Sequence, residues 1–338
     1  MSPHPKVIVT ACVDPACLTD LAPHAEIIMN DRPEPWSDDQ LLEHCKDAYG
    51  MIAFMPDQAD EAFLRHCPSL RIIAGALKGY DNFDVSACTR HGVWLTVVPD
   101  LLSAPTADLA IGLLLALSRN LVEGDRLIRD GNFRAWRPIL YGKGISGATV
   151  GILGIGAVGQ EIALRLTGFG PNILYFDTQH LSLERERALG VRYAAFDEVV
   201  ASSDFVILAL PLTDGTHHII DHSVLARLKP GCVLINPARG SLVDEEAVAD
   251  ALESGHLGGY AADAYACEDI ALPDRPGEIS NRLLSEKSRT VLTPHLGSAV
   301  DTVRREIVAE AARNILDCLE DRRPRGAVNL LTSSTGCH

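Results

Sequence analysis

The chain has 338 residues, of which 47% are apolar, and its formal net charge is −15. This length exceeds what one hydrophobic core usually organises, so two domains are expected. The negative charge, without a basic stripe or tail, argues against a nucleic acid or an anionic membrane as partner, and an anionic substrate would need local cations.

The first hundred residues predict a small parallel α/β domain. Its strands are indicated by short apolar or β-branched runs at residues 6–12, 51–54, 70–74 and 93–98. Ser37, followed by Asp-Asp-Gln, predicts an N-cap that opens a helix through Cys45. A long helical pattern then covers residues 103–129 and ends before Gly131, which predicts one helix that bridges two domains.

A second and more regular series of strands begins at Thr149. Its runs are continuously apolar, which is typical of strands buried on both faces of a parallel sheet. They lie at residues 149–153, 173–176, 205–210, 233–236, 259–262 and 291–293. Residues 300–320 predict an amphipathic helix that crosses back to the first domain, which makes that domain discontinuous. The polar stretch from Arg322 onward predicts a loosely held tail.

Cysteine usage and apolar segments indicate the compartment. Nine cysteines without a C-x-x-C pair predict reduced intracellular thiols. The N-terminal sequence lacks a cationic region before a long apolar core, so no signal peptide is expected. The longest apolar stretch, residues 109–117, is too short to span a bilayer. We therefore expect a soluble cytoplasmic protein.

His217, His218 and His222 lack further groups at ligand spacing, so no metal site is predicted.

A glycine turn predicts the cofactor. Gly154-Ile155-Gly156-Ala157-Val158-Gly159 follows a predicted strand and opens a predicted helix, which is the context that distinguishes a dinucleotide site from a chance G-x-G-x-x-G. Such glycines bring a pyrophosphate to the helix N-terminus. Asp177, at the end of the next strand, would accept hydrogen bonds from the ribose hydroxyls of NAD and repel the 2′-phosphate of NADP. A Rossmann domain that binds NAD is therefore predicted.

Three polar residues follow later strands, at the sheet edge where open α/β sheets bind ligands. They are Arg239 in Asn-Pro-Ala-Arg-Gly, Glu268 in Asp-Ala-Tyr-Ala-Cys-Glu and His295 in Thr-Pro-His-Leu-Gly-Ser. A histidine that exchanges protons near neutral pH needs a carboxylate to fix its tautomer. A guanidinium recognises an oxyanion through two parallel hydrogen bonds.

These segments, with the glycine turn, resemble the corresponding motifs of the D-isomer-specific 2-hydroxyacid dehydrogenase family in order and spacing, over about residues 45–320. The resemblance implies that His295 is the acid/base, that Glu268 hydrogen-bonds it and that Arg239 binds the substrate anion. It implies that Asp263 binds the nicotinamide carboxamide. Further cofactor contacts are implied at Lys78, Thr106, Pro211, Pro237, Ala238 and His295.

The same resemblance implies two α/β domains, each a parallel sheet flanked by helices. A flavodoxin-like substrate-binding domain would comprise residues 1–100 and 296–338, and the NAD-binding Rossmann domain would comprise residues 101–295. A homodimer is implied by analogy with the family.

The loop at residues 75–84 indicates which anion the protein binds as its substrate. It carries Lys78 where a small residue is more typical of the family, and a lysine facing Arg239 would suit a more highly charged anion than a monocarboxylate. Met55, Trp136, Tyr141 and the pair Glu268-Asp269 are similar to the phosphonate (phosphite) dehydrogenases of this family. That resemblance implies oxidation of phosphite to phosphate by NAD. The residues expected around the anion are Lys78, Gly79, Met55, Arg239, Trp136, Tyr141 and Ser298.

Two other functions stay open at this point. One is an ordinary D-2-hydroxyacid dehydrogenase that reduces glyoxylate, hydroxypyruvate or a related 2-keto acid. The other is a non-catalytic regulator that senses NAD. Lys78 could instead be a solvated lysine, and Trp136 and Tyr141 could serve packing alone.

Overall fold

The computed structural model describes residues 4–98 and 100–331, and these form two compact units. The outer unit comprises Met1–Leu102 and Val300–His338, as far as these are described, and the central unit comprises Ser103–Ala299. The assignment of substrate binding to the outer unit stays a prediction.

The outer unit contains a five-stranded parallel sheet in the order β2-β1-β3-β4-β5. Its strands are β1 (Lys6–Val9), β2 (Glu26–Met29), β3 (Gly50–Ala53), β4 (Ile72–Gly75) and β5 (Trp94–Thr96). Its helices are α1 (Asp38–Cys45), α2 (Glu61–His66), α3 (Val85–Arg90) and α12 (Asp301–Leu319). This strand order is that of flavodoxin-like folds, and the predicted fold class is confirmed. The Ser37 cap is also confirmed, since Ser37 and Gln40 form a reciprocal capping box.

The central unit contains a seven-stranded parallel sheet in the order β12-β11-β10-β9-β6-β7-β8. Its strands are β6 (Thr149–Leu153), β7 (Asn172–Phe176), β8 (Val191–Tyr193), β9 (Phe205–Leu208), β10 (Cys232–Asn236), β11 (Leu257–Ala262) and β12 (Thr290–Leu292). Its helices are α4 (Ser103–Ser118), α5 (Leu121–Arg129), α6 (Ala157–Leu166), α7 (Leu183–Leu189), α8 (Phe196–Ser202), α9 (His222–Leu225), α10 (Glu245–Glu253) and α11 (Asn281–Ser285). The strand order reverses beside β6, which is where such sheets bind ligands.

The prediction of one helix over residues 103–129 is wrong. The chain breaks at Asn120, which adopts a left-handed conformation with φ of 52°, and α5 leaves α4 at 61°. Asparagine tolerates this conformation better than most residues. No single described helix has the length and apolar composition to cross a membrane, although α4 and α5 taken together as a bent pair pass that test.

The expectation of a loose tail from Arg322 is wrong for residues 322–331. Arg325 Nε donates to Asp317 on α12 at 2.9 Å. The side chain of Asn329 hydrogen-bonds the backbone of Leu95 in β5 and of Val93 just before it. These polar residues bind structured parts of the outer unit, so polarity alone did not indicate a free end. The predicted tail at residues 332–338 lies outside the described residues.

Candidate active site

The glycine turn adopts the conformation that the sequence predicts. Gly154 directly follows β6 with φ of 97°, and a methyl group there would overlap the carbonyl oxygen of Ala209. A methyl group at Gly159 would overlap the carbonyl oxygen of Gly154. At Gly156, in contrast, a methyl group would meet open space just before α6. Two glycines are therefore required by packing, and the third keeps the helix N-terminus accessible to a pyrophosphate.

Ala157 and Val158 form the first turn of α6, so their backbone N–H groups belong to that same helix end. Asp177 follows β7, the neighbour of β6, and its Oδ2 accepts a hydrogen bond from Ile155 N at 2.8 Å. A carboxylate thus lies at the glycine turn, where a dinucleotide ribose would be bound. The residues present fit NAD.

The other predicted cofactor residues lie along the same edge of the sheet. Pro211, Pro237 and Asp263 follow β9, β10 and β11, which lie in that order beside β6. Ala238 is half-buried, and its N–H donates to the Asn236 side chain at 3.1 Å. Thr106, on α4, lies against Gly297, where a methyl group would come within 3.2 Å of its hydroxyl.

Asp263 holds the segment that carries the candidate histidine. Its Oδ1 accepts from Leu296 N at 2.7 Å and from the Thr293 hydroxyl at 2.6 Å, and its Oδ2 accepts from Gly297 N at 2.8 Å. Burial raises the pKa of Asp263, while these hydrogen bonds oppose the rise. This holding role was not foreseen from the sequence, and the carboxamide contact of Asp263 stays a prediction. Ser298, half-buried, directly follows the held segment.

The structure brings His295 and Glu268 into direct contact. His295 Nδ1 lies 2.6 Å from Glu268 Oε2, and Glu268 Oε1 accepts from Tyr265 N at 2.9 Å. His295 has φ of 54°, a conformation that an ordinary residue keeps only when its surroundings impose it. The carboxylate fixes one ring nitrogen, which leaves Nε2 as the nitrogen that can exchange a proton with a ligand.

Arg239 lies on a neighbouring turn, directly after β10. Its backbone oxygen accepts from the Asn236 side chain at 2.7 Å, and Arg239 as a whole is half-buried. The next residue, Gly240, touches the turn that leads to Glu268, since a methyl group there would overlap the backbone of Tyr265. The Arg239 turn and the Glu268 turn are therefore packed together without a gap.

The predicted residues of the outer unit form their own cluster. Lys78 and Gly79 follow β4, and Met55 follows β3, its neighbour in the sheet. Asn82 Nδ2 donates to Met55 O at 2.7 Å, which ties the two loops together. Burial lowers the pKa of Lys78, and the charge of Asp100 acts in the opposite direction. The approach of Lys78 to Arg239 and to the cofactor stays a prediction.

Trp136 and Tyr141 lie on the surface of the central unit. Their exposed fractions are 80% and 77%, so neither is packed into the core. The alternative that they serve packing within this chain is therefore wrong for the described residues. Their role in closing a pocket stays a prediction.

Comparison with known proteins decides the family. Residues 111–297 match the model of the D-isomer specific 2-hydroxyacid dehydrogenase NAD-binding domain. A glyoxylate reductase from Pyrococcus furiosus is 36% identical over 330 residues, which cover 96% of this chain and 95% of that protein. The chain belongs to the D-isomer specific 2-hydroxyacid dehydrogenase family. This dehydrogenase is thus an oxidoreductase, and its central unit contains the NAD-binding domain of the family.

Solved structures agree with this fold. A glyoxylate reductase from Paecilomyes thermophila is similar with a TM-score of 0.84 at 28% identity, covering 96% of this chain and 98% of that one. An NADPH-dependent glyoxylate/hydroxypyruvate reductase from Sinorhizobium meliloti, solved with NADP and malonate, has a TM-score of 0.81 at 28% identity. The similarity covers 96% of this dehydrogenase and 97% of that chain.

The expectation that the chain oxidises phosphite is wrong. Relatives that match it over nearly its whole length are named glyoxylate reductases, and this supports the 2-keto acid alternative. The physical signals behind the expectation were also weak ones. A half-buried lysine whose pKa is lowered by burial does not by itself define a site for a highly charged anion, and two exposed aromatic residues do not define its pocket.

Proposed function

We propose that this dehydrogenase reduces glyoxylate, or a closely related small 2-keto acid, to the 2-hydroxy acid with NADH. The observation that carries the proposal is the contact of 2.6 Å between His295 Nδ1 and Glu268 Oε2, in the same unit as the glycine turn. The names of the relatives at about a third identity support the substrate class.

When held by the glycine turn and Asp177, NADH would supply the hydride that the carbonyl carbon of the keto acid needs. His295 Nε2 donates the proton that the carbonyl oxygen gains, and Glu268 stabilises the imidazolium before that transfer. Arg239 binds the carboxylate of the keto acid and orients the carbonyl toward His295. Reaction in the reverse direction uses the same groups, with the imidazole as base.

We propose that Lys78, Gly79 and Met55 form the part of the outer unit that binds the substrate. They lie on the loops after β3 and β4, which the hydrogen bond from Asn82 to Met55 links. Ser298 is proposed to bind the substrate carboxylate beside Arg239. We propose that Lys78 is a cation that attracts the anionic substrate, which the net charge of −15 would otherwise repel.

The test is oxidation of NADH, followed by its absorbance, with glyoxylate, hydroxypyruvate and pyruvate as separate substrates. We expect turnover with glyoxylate, and a loss of about 10²-fold or more in kcat/KM for His295→Gln and for Arg239→Lys. A matched control is Arg227→Lys, since Arg227 forms an exposed ion pair with Asp197. Absence of turnover with all three acids in the purified protein contradicts the proposal.

We also propose a homodimer. The segment from α5 to Tyr141 exposes large apolar side chains in one stretch of chain: Leu121, Val122, Ile128, Phe133, Trp136, Ile139, Leu140 and Tyr141. Contiguous exposed apolar surface of this kind marks protein interfaces. Light scattering on a sizing column tests it: we expect twice the chain mass of 36.4 kDa, reduced by Ile128→Asp, and a monomeric wild-type protein contradicts it.

A further inference from the structure

Glu245 is a buried carboxylate at the first position of α10, outside the catalytic set. Its side chain is inside the central unit, with an exposed fraction of 8%. Burial raises the pKa of Glu245, and the charges of Asp269 and Glu246 act in the same direction. Burying a carboxylate costs free energy of folding unless hydrogen bonds compensate for the lost hydration.

The contacts of Glu245 lead to the candidate active site. Its Oε1 accepts a hydrogen bond from Ala266 N at 2.9 Å, and the N–H of Ser280 also donates to the carboxylate. Ala266 begins the short turn Ala266–Glu268, which carries the partner of His295. A carboxylate accepts from two N–H groups of different segments, whereas a glutamine side chain offers one acceptor oxygen.

Glu245 also joins the two catalytic turns. It lies six residues after Arg239 on the same segment between β10 and α10, while its acceptor contact is with the turn of Glu268. Gly240 packs directly against that turn, because a methyl group there would overlap the backbone of Tyr265 and Ala266. The carboxylate therefore holds the turn of Glu268 against the segment that leads into α10.

We propose that Glu245 is a positioning residue, which fixes the turn of Glu268 and, through Glu268, the orientation of His295. This inference rests on the proposed function of the same site. Glu245 need not touch the substrate, and its effect on the reaction disappears when Glu268 no longer acts.

The experiment compares Glu245→Ala in two backgrounds, wild type and Glu268→Gln. In the wild-type background we expect kcat/KM for glyoxylate to fall about tenfold or more, with the Kd of NADH changed by less than about threefold. In the Glu268→Gln background we expect the same substitution to change kcat/KM by less than about threefold. Losses of about tenfold in both backgrounds overturn the proposal.

The matched control is Glu253→Ala on the same helix. Glu253 is exposed and bonded to Arg282, so its removal should leave kcat/KM within about twofold. If Glu245→Ala does not fold, Glu245→Gln takes its place in the same cycle, because it keeps one acceptor oxygen. We expect from it a smaller loss that also disappears in the Glu268→Gln background, and equal losses in both backgrounds overturn the proposal.

A readout without substrate separates this inference from the proposed function. Amide hydrogen exchange at Ala266 should accelerate about tenfold or more in Glu245→Ala, while exchange in β6 stays unchanged. Exchange at Ala266 that matches the wild type overturns the positioning role. An absence of turnover in the wild-type protein overturns the proposed function alone, because the exchange experiment does not require it.

Discussion

The carboxylate of Asp177 accepts a hydrogen bond from the backbone N–H of Ile155 at 2.8 Å, which ties the end of β7 to the glycine turn after β6. Its second oxygen accepts from Gln179 N at 3.0 Å. The acid is therefore held at the glycine turn by two backbone groups, and its charge has a defined place before any cofactor binds.

From this position we predict that Asp177→Ala changes the cofactor preference. We expect kcat/KM for NADH to fall about tenfold or more, because the ribose hydroxyls lose their acceptor, while kcat/KM for NADPH rises, because the 2′-phosphate is no longer repelled. Steady-state kinetics with both cofactors measures this. Asp197→Ala, which removes an exposed carboxylate paired with Arg227, should leave the ratio unchanged. Equal losses with both cofactors would refute the prediction.

The sequence predicted the interior strands of both sheets to within a few residues, because a strand buried on both faces must be apolar throughout. It also predicted the edge strands β5 and β12, which carry no charged residue. It missed β2 and β8, which lie at sheet edges and contain exposed charged residues, Glu26 and Arg192. It missed the break at Asn120 because helical periodicity continues across it. Short strands that contain exposed charges, and breaks within a helical pattern, are decided by tertiary contacts that a local pattern does not contain.

The site was predicted in part for a related reason. Residues directly after parallel strands meet at one edge, so Glu268 and His295 were expected together and lie 2.6 Å apart. Glu245 was not foreseen, since its partner Ala266 lies 21 residues away and an acid in a first helical turn is ordinary. The prediction of the substrate was wrong because the whole pocket determines which anion binds, and one lysine does not define that pocket.

Gly240 provides a test of the contact between the two catalytic turns. We predict that Gly240→Ala lowers kcat/KM about 10²-fold and costs about 1–3 kcal/mol of stability, because the new methyl group overlaps the backbone of Tyr265 and Ala266. Urea unfolding and kinetics with glyoxylate measure the two effects. Gly277→Ala is the control, since a methyl group there meets nothing within 4 Å. If the two variants behave alike, the turns are not in the contact described.

The buried carboxyl of Asp57 should make the free energy of unfolding depend on pH. This buried carboxyl accepts from Phe54 N at 2.7 Å and from the Thr10 hydroxyl, and burial raises its pKa from 3.8 to about 6. The folded protein therefore binds the proton more tightly than the unfolded chain does. Its contribution to stability is present below about pH 4 and is lost as pH rises through about 6.

We expect Asp57→Asn to remove this dependence, because the amide oxygen still accepts hydrogen bonds but carries no charge. Relative to the variant, the wild-type protein should lose up to about 3 kcal/mol between pH 4 and pH 7.5. Urea unfolding of both proteins across this range measures the difference. Asp31→Asn, at a side chain that is 90% exposed, should follow the wild-type curve. Parallel curves for wild type and Asp57→Asn would show that Asp57 titrates as it does in the unfolded chain.

The hydrogen bonds of Asn329 lead us to predict that the C-terminal segment contributes to the stability of the outer unit. Its Oδ1 accepts from Leu95 N and its Nδ2 donates to Val93 O, both at 2.9 Å, beside the edge strand β5. Asn329→Ala leaves that buried N–H and C=O without partners, so we expect a loss of about 2–4 kcal/mol in the free energy of unfolding. Leu330→Ala, at an exposed side chain, should cost less than about 0.5 kcal/mol. Equal urea midpoints for the two variants would mean that water replaces both hydrogen bonds. The C-terminal segment would then not stabilise β5.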